Sequence, residues 1–162
     1  MEIFEFEIPS HTTRREWAVY VIIATCKESN AKTLYVGKVG DNRAGCNPII
    51  SRIGNHFSHN KIHSQMRTKI VNPTKFNYRI LYITYGEYIE ENHSDFRCKV
   101  NELERKLNTY IQENIRTSEN ITILNPYKGV GVSKKKFYER FELLTEQERE
   151  SLKKLAQKAT EY

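Results

Sequence analysis

An arginine and a histidine stand one helical turn apart in the segment RIGNHF, residues 52–57. Residues four positions apart lie on the same face of an α-helix, so Arg52 and His56 would point in the same direction. A guanidinium group binds a phosphate through two parallel hydrogen bonds. The pair therefore predicts a phosphate-binding site on one face of a helix.

The surroundings of this pair carry charge of one sign. Residues 42–86 contain no Asp or Glu, although the whole chain has 20 acidic residues and a net charge of +6. A solvated surface normally mixes both signs, so this tract favours a surface for a polyanion over a chance composition. Its cations are Arg43, Arg52, Lys61, Arg67, Lys69, Lys75 and Arg79.

A carboxylate stands on the apolar face of a predicted helix. Val100, Leu103 and Leu107 follow helical spacing, and Glu104 falls beside them on the same stripe. A carboxylate on the core-facing side of a helix must be paired, protonated or bound to a metal ion. The spacing gives equal weight to a salt bridge, for example with Arg52, and to a role as ligand of a hard metal ion.

The elements that would position these residues follow from local patterns. Apolar runs bounded by turn residues predict strands, and helical spacing between caps predicts helices. Asn47 and Pro48 predict the cap and first position of the helix that carries Arg52, Ser94 predicts the cap of a later helix, and Thr145 is followed by a glutamate at capping-box spacing. Strands are predicted at residues 18–25, 33–39 and 76–86, a short extended piece at 120–126, and helices at about 48–57, 61–70, 95–114 and 145–160.

The order of these elements predicts an α+β fold. Its centre would be a small three-stranded, mostly antiparallel sheet flanked by helices, with a C-terminal helical tail. Residues 2–8, EIFEFEI, alternate apolar and acidic side chains, which fits either an edge strand or a leading arm. Residues 128–137 read as a basic loop with glycines.

Composition predicts one cytoplasmic domain over residues 1–162. A chain of 162 residues with 38% hydrophobic side chains can form one core, and its longest apolar run, residues 18–24, is too short to cross a bilayer. The acidic first segment differs from a secretory signal. Three scattered cysteines, Cys26, Cys46 and Cys98, fit a reducing compartment better than a disulfide framework or a zinc site.

Taken in order, these motifs resemble those of the GIY-YIG nuclease family. AVY at residues 18–20 is similar to the first tripeptide of that family, with Ala18 in place of the first glycine, and YVG at residues 35–37 is similar to the second. The segments RIGNHF, LERKL and ILNP are similar to its arginine–histidine helix, its glutamate helix and its closing asparagine. Five ordered matches implicate residues 17–126 as the catalytic core, with residues 127–162 as a basic loop and helical extension.

The resemblance implies hydrolysis of DNA phosphodiester bonds with one divalent metal ion. Glu104 would hold the ion, expected to be Mg²⁺ with Mn²⁺ as a substitute, because a single carboxylate with water ligands suits these ions. Arg52 would clamp the scissile phosphate, in preference to its rival Arg43, because His56 follows Arg52 in the matching order. Asn125 would fix the geometry of the site or contact a phosphate.

The two tyrosines of the tripeptides would lie side by side across the hairpin and face the attacking water. Tyr20, rather than Tyr35, would act as the general base or orient it. A tyrosine with an ordinary pKa of about 10 is a weak base at neutral pH, so neighbouring cations such as Lys38 or Arg52, or the metal, would have to favour the phenolate. Lys38 and His56 would assist, His56 as a hydrogen-bond partner or proton relay.

Two functions from different classes are consistent with the sequence. The leading hypothesis is a small restriction-type endonuclease that contacts DNA through Arg43, Lys61, Arg67 and Lys69 and acts as a homodimer, because one single-metal site cuts one strand. The alternative is a non-catalytic nucleic-acid-binding module that kept the fold. Such a module need not keep the full set of Tyr20, Tyr35, Arg52, His56 and Glu104, so the presence of all five residues favours the enzyme. No membrane and no small-molecule cofactor is expected as a partner.

Overall fold

A four-stranded mixed sheet forms the centre of the protein in the computed structural model, which describes residues 2–40, 45–59, 63–129 and 132–161. The strand order is β3-β1-β2-β4; β1 runs antiparallel to β2 and β3, and β4 runs parallel to β2. The strands are β1 (Glu16–Cys26), β2 (Lys32–Val39), β3 (Phe76–Glu87) and β4 (Ile121–Ile123).

Five α-helices surround this sheet in the described part of the chain. They are α1 (Ile49–Phe57), α2 (Gln65–Lys69), α3 (His93–Asn114), α4 (Lys134–Glu142) and α5 (Glu146–Glu161). Helix α3 packs on β1, β2 and α5, while α5 also contacts β3 and α1 contacts α2. Short 3₁₀ helices lie at Ser10–Thr13, Pro73–Lys75 and Glu90–Asn92.

The central position of β1 follows from its sequence. Its side chains from Trp17 to Ala24 are all buried, so both faces of this strand are covered. A run of aromatic and β-branched residues suits a strand that is buried on both sides. The core continues into α3 through Val100, Leu103, Leu107 and Ile111, and into α5 through Leu152, Leu155, Ala156 and Ala159.

The α+β class and the three longer strands agree with the predictions, but the sheet has four strands and is mixed. The predicted extended piece at residues 120–126 contributes β4, which pairs with the edge of β2 in the register Lys32↔Ile121 to Leu34↔Ile123. A three-residue strand with parallel pairing depends on its partner, so the local sequence does not determine where it joins the sheet.

Several helix ends differ from the predictions. Helix α1 begins at Ile49 with Pro48, not Asn47, in the cap position, and α3 begins after Asn92 rather than at a Ser94 cap. Helix α2 is described only from Gln65, since residues 60–62 lie outside the described ranges. The predicted basic loop contains the start of α4, where the Ser133 side chain accepts a hydrogen bond from the backbone of Lys136.

The capping box of α5 is confirmed. The Thr145 hydroxyl accepts from the backbone N–H of Glu148 at 3.2 Å, and the Glu148 carboxylate accepts from the backbone N–H of Thr145 at 2.8 Å. Residues 2–9 have no regular secondary structure and are exposed. The N-terminal segment is therefore an arm and does not pair with the sheet of the same chain. Within the described ranges, no helix has the length and apolarity needed to cross a membrane.

Candidate active site

The β1–β2 hairpin places the two tyrosines of the tripeptides on one face of the sheet. Tyr20 pairs with Gly37 and Ile22 pairs with Tyr35, so the tyrosines are diagonal neighbours rather than directly opposite. Their ring centroids are 6.4 Å apart. Tyr20 is fully buried, while Tyr35 keeps 9% of its surface exposed, so Tyr35 is the tyrosine nearer to solvent.

Gly37 makes room for the Tyr20 ring. A Cβ atom at this position would lie 2.4 Å from both Cζ and the hydroxyl oxygen of Tyr20. Gly37 lies inside β2 rather than in a turn, so the glycine of YVG is needed for close packing and not for a special backbone conformation. Gly37, the glycine of YVG, thus determines where the ring of Tyr20, the tyrosine of AVY, can lie.

Helix α1 delivers His56 and Arg52 to the Tyr20 hydroxyl. Ile49, Ile53 and His56 form the buried face of this helix, and that face directs the imidazole at the sheet. The Tyr20 hydroxyl and His56 Nε2 are 2.7 Å apart, and the His56 ring meets the Tyr35 ring edge-on at 4.7 Å. Arg52 lies close enough to Tyr20 for its positive charge to lower the pKa of the phenol, against the larger effect of burial.

Burial sets the protonation states in this cluster. It lowers the pKa of His56 to about 4, with smaller contributions from the charges of Arg52 and His63, so His56 is neutral at pH 7. Burial also raises the pKa of Tyr20 well above its usual range; the charge of Tyr35 adds to this and Arg52 opposes it. The expectation that nearby cations would favour a phenolate is therefore wrong for the free protein, in which desolvation is the larger effect.

Neutral Tyr20 and neutral His56 can share one hydrogen bond in either direction, because the imidazole carries its proton on one of its two nitrogens. When that proton is on Nδ1, His56 Nε2 accepts from the Tyr20 hydroxyl. Nδ1 is buried without a hydrogen-bond partner among the described residues, so no second contact selects the tautomer. In the tautomer with the proton on Nδ1, the Tyr20–His56 pair can pass a proton from Tyr20 to His56.

Glu104 on α3 faces the same cluster. The carboxylate is half-buried, and desolvation raises its pKa while Lys38, Arg52 and Arg105 lower it. Its charge in turn raises the pKa of both Tyr20 and Tyr35. Among the residues that the structure describes, Glu104 forms no ion pair, so the salt-bridge alternative for this carboxylate is not what the structure contains.

The donor set fits a magnesium ion better than a softer metal. In the described part of the chain, no group of three or more His, Cys, Asp or Glu side chains could hold a metal. A single half-buried carboxylate matches the way Mg²⁺ is bound, by one or two carboxylates together with waters and substrate phosphates. Glu104 is the residue that could hold such an ion.

Lys38 contributes to this site through its charge. Its Nζ donates to the carbonyl oxygen of Gly40 at 2.9 Å, and it is the largest of the charges that lower the pKa of Glu104. Lys38 pairs with Val19, so along β2 it alternates with Gly37 and points to the opposite face from the tyrosines. From this position Lys38 can lower the pKa of Glu104 through its charge, but it does not point towards Tyr20.

Asn125 holds the strand that carries Tyr35. Its Oδ1 accepts from the backbone N–H of Val36 at 3.1 Å, and its Nδ2 donates to the carbonyl of Val36 at 2.7 Å. The backbone N–H of Leu124 donates to the carbonyl oxygen of Leu34. The side-chain amide of Asn125 therefore extends the hydrogen bonding between β4 and β2 by one more residue. Since both amide atoms are used in this way, Asn125 serves the geometry of the site rather than contact with a phosphate.

Asn108, which the sequence analysis did not select, connects this arrangement to α3. It lies one turn after Glu104, is buried, and donates from Nδ2 to the carbonyl of Asn125 at 2.8 Å. Its Oδ1 accepts from the backbone N–H of Tyr127 and from Gln112, both at 2.9 Å. The available signal was a polar residue on the apolar stripe of the helix, next to Leu107.

The predicted DNA-contacting residues are only partly described. Arg67 and Lys69 are exposed on α2, which packs against the helix that carries Arg52. Arg43 and Lys61 lie outside the described residues, so the choice between Arg43 and Arg52 stays a prediction. The structure therefore joins Tyr20, Tyr35, Arg52, His56 and Glu104 in one cluster.

A scan against models of protein families, a search of curated proteins and a search of solved structures found no match to this chain. The similarity to GIY-YIG nucleases thus rests on the five ordered motifs.

Proposed function

We propose that this protein is a Mg²⁺-dependent endonuclease that hydrolyses DNA phosphodiester bonds. The observation that carries the proposal is the 2.7 Å hydrogen bond between Tyr20 and His56, with the charge of Arg52 beside it and a half-buried carboxylate, Glu104, that has no ion-pair partner among the described residues. These groups supply a phosphate-binding cation, a proton acceptor and a ligand for a hard metal ion, which are the components that phosphodiester hydrolysis needs.

The proton acceptor in this mechanism is the Tyr20–His56 pair. As the water oxygen bonds to phosphorus and the ester P–O bond breaks, Tyr20 takes a proton from the water and passes its own proton to His56 Nε2. This transfer does not require a free phenolate, whose formation burial opposes. The leaving oxygen takes a proton from solvent and His56 releases its additional proton to solvent, so the protons balance.

Arg52 binds the phosphate beside the tyrosines. Its positive charge acts on Tyr20, Tyr35, His56 and Glu104, so a phosphate bound to its guanidinium lies next to these groups. Tyr20 is fully buried in the free protein, so the proposed step requires its hydroxyl to become accessible to water when the substrate binds. Glu104 would hold the metal, and Mg²⁺, when bound, would supply positive charge that stabilises the phosphoryl and leaving oxygens.

The substrate class follows from the distribution of charge. The tract without carboxylates includes both Arg52 and the exposed cations of α2, Arg67 and Lys69, so one region binds the scissile phosphate and its neighbours. The finer part of the proposal is a restriction-type enzyme that recognises its sequence within the same domain. Such an enzyme cuts both strands only as a dimer, which we include in the proposal.

The test is a cleavage assay on supercoiled plasmid with matched glutamate variants. Glu104→Gln removes the candidate metal ligand, and Glu102→Gln, two residues away and paired with Arg105 at 3.1 Å, is the control. Wild type and Glu102→Gln should cut with Mg²⁺ or Mn²⁺ and not with EDTA, while Glu104→Gln should not cut. Mn²⁺ binding, followed by electron paramagnetic resonance, should be lost in the same variant.

Each outcome bears on a different part of the proposal. Discrete linear fragments support a sequence-specific enzyme, whereas nicks or smears keep the nuclease and reject the restriction-type interpretation. Cleavage by Glu104→Gln rejects the metal-ligand assignment. A salt-sensitive gel shift without any cleavage by wild type rejects the enzyme and leaves the nucleic-acid-binding module.

A further inference from the structure

The outer edge of β3 is long and apolar. Among the described residues β3 pairs only with β1, so its other side offers a row of backbone hydrogen-bonding groups. The strand runs for 12 residues, and Ile80, Leu81, Tyr82 and Ile83 at its centre are only half-buried. Proteins usually protect an edge strand by making it short, charged or covered, because a long apolar edge pairs with another strand.

The N-terminal arm, residues 2–8, has the pattern of such a strand. Phe4 is 86% and Phe6 80% exposed, which is unusual for two phenylalanines so close together. In an extended conformation Phe4, Phe6 and Ile8 would lie on one face, with Glu5 and Glu7 on the other. The arm therefore has one apolar face and one mostly acidic face, and neither is packed in the monomer.

One antiparallel register matches the apolar face of the arm and the charge of Glu7 to β3, while it sets Glu5 opposite Leu81. With Phe6 opposite Ile80, Phe4 lies opposite Tyr82 and Ile8 opposite Tyr78, all on the face that Tyr20 occupies. On the other face the same register sets Glu7 opposite Arg79, which is the one cation of β3 and is exposed, and Ile3 opposite Ile83. Apolar and opposite-charge cross-strand pairs both stabilise a sheet.

The arm of the same chain cannot reach this position. From Tyr78 to Glu87, the residue of β3 that pairs with Glu16, the strand spans about 30 Å. Residue 8 would have to lie beside Tyr78, yet the chain from it to Glu16 has only eight residue-to-residue steps. Four of the intervening residues form the 3₁₀ helix Ser10–Thr13, so the connection covers only about 22 Å at the usual rises.

We propose that residues 2–8 of one copy add as an antiparallel strand to the β3 edge of a second copy, and that the exchange is reciprocal. The two contacts are then identical and related by a two-fold axis, as in most homodimers. This contact does not rest on the proposed nuclease activity, since it follows from the edge, the arm and their charges alone.

The first experiment measures the mass of the full-length protein by sedimentation over about 1 to 100 μM, a range chosen to bracket micromolar dimers. We expect a mass that rises with concentration from 19.1 kDa towards twice that value. Phe4→Glu with Phe6→Glu should weaken the dimer on the order of 100-fold or more, because both anchors are lost. Val71→Glu, at an exposed apolar residue outside the arm and β3, should leave the dimer unchanged.

The second experiment reverses the charges on the two sides of the contact. Glu7→Arg and Arg79→Glu should each weaken self-association about tenfold, because each sets like charges opposite one another in both contacts. An equimolar mixture of the two variants should dimerise like wild type, since every contact in the mixed dimer again joins opposite charges. Only exchange between copies gives this result.

Three results would overturn the proposal. They are a monomer throughout the concentration range, a dimer that Phe4→Glu with Phe6→Glu does not weaken, and charge variants that fail to associate on mixing. A monomer whose arm amides are protected from hydrogen exchange would show instead that the arm packs on its own chain. Circular dichroism melts of every variant verify that the fold is intact.

Discussion

At the residue scale, the absence of a side chain at Gly37 decides where Tyr20 lies. The Tyr20 ring occupies the space that any Cβ at position 37 would need, and the hydrogen bond between Tyr20 and His56 depends on that placement. Two residues of different tripeptides thus act as one unit. A tyrosine-containing strand alone would not define the proton relay.

Gly37→Ala should therefore both destabilise the protein and disable the site. The added methyl group lies far inside van der Waals contact with the ring, so we expect a loss of about 1–3 kcal/mol in the free energy of unfolding. Denaturant unfolding measures the loss. Gly54→Ala in α1 is the control, because no atom lies within 4 Å of its Cβ position; it should gain up to about 1 kcal/mol. A Gly37→Ala protein of wild-type stability would mean that Tyr20 does not occupy this position.

The pKa of His56 predicts a dependence of stability on pH. The folded protein protonates His56 only near pH 4, whereas an unfolded chain protonates a histidine near pH 6.5. Between these values the unfolded state binds the additional proton, so the free energy of unfolding decreases as pH falls from 6.5 towards 4. Above pH 6.5 this group adds no dependence.

The comparison with His56→Gln isolates this contribution. Glu104, whose pKa is raised, works in the opposite direction, so the difference between wild type and variant is more informative than either curve alone. Unfolding curves at pH 4.5, 5.5 and 7, values chosen as about evenly spaced across the window, should show a steeper decrease for wild type. Parallel curves would mean that His56 titrates normally in the folded state.

At the element scale, two asparagines join the helix of Glu104 to the strand of Tyr35. Asn125 binds both backbone groups of Val36, and Asn108 binds the carbonyl of Asn125 and the N–H of Tyr127. The metal-ligand candidate and the tyrosine come from segments about 70 residues apart in sequence. This chain of hydrogen bonds holds the two segments at a fixed separation.

Asn108→Ala should weaken the connection between α3 and the segment that follows β4. It leaves the partly buried carbonyl of Asn125 and N–H of Tyr127 without their Asn108 partner, and a fully buried unsatisfied group costs about 1–3 kcal/mol. We expect a stability loss in the lower part of that range and faster hydrogen exchange at the Val36 amide. Asn114→Ala at the exposed end of α3 is the control and should change neither quantity. Unchanged exchange at Val36 in Asn108→Ala would show that β4 is held by other contacts.

The sequence was sufficient for the elements whose causes are local. Strands β1 to β3, helix α3 and the capping box of α5 follow from periodicity and caps within the segment itself. Strand β4 is only three residues long and exists through its pairing with β2, which no local pattern contains. The start of α4 has a local signal, the Ser133 cap, but it follows a segment with glycines that favour a loop.

The same distinction applies to the site. Tyr20, Tyr35, Arg52, His56 and Glu104 could be selected because their types, order and spacing are visible in the chain. Asn108 and the steric role of Gly37 could not, since each depends on a partner 17 residues away. The protonation state of Tyr20 could not be predicted from the sequence either, because burial has a larger effect on its pKa than the neighbouring charges.

At the scale of the whole molecule, net positive charge is concentrated in one tract because that tract has no carboxylates, although its share of cations is average. The chain carries 26 Lys and Arg, and the tract from 42 to 86 includes seven of them without a single carboxylate. Helix α2 presents Arg67 and Lys69 to solvent beside α1. A polyanion that reaches Arg52 would therefore meet these two cations on the same approach.

Replacing both cations of α2 tests this arrangement. Each phosphate contact releases counterions, so Arg67→Ala with Lys69→Ala should weaken DNA binding and reduce the slope of log K against log salt by about 2. Fluorescence anisotropy between about 50 and 200 mM salt measures both quantities. The control is Lys135→Ala with Lys154→Ala, which removes the same charge from exposed positions on α4 and α5.

The comparison of these two variants separates a local contact from a general effect of net charge. Both remove two positive charges, so long-range attraction to DNA falls equally in both. Only a residue that touches a phosphate changes the number of counterions released, and hence the slope. If both variants reduced the slope equally, the carboxylate-free tract would not form the contact surface, and the DNA would have to approach Arg52 from another side of α1.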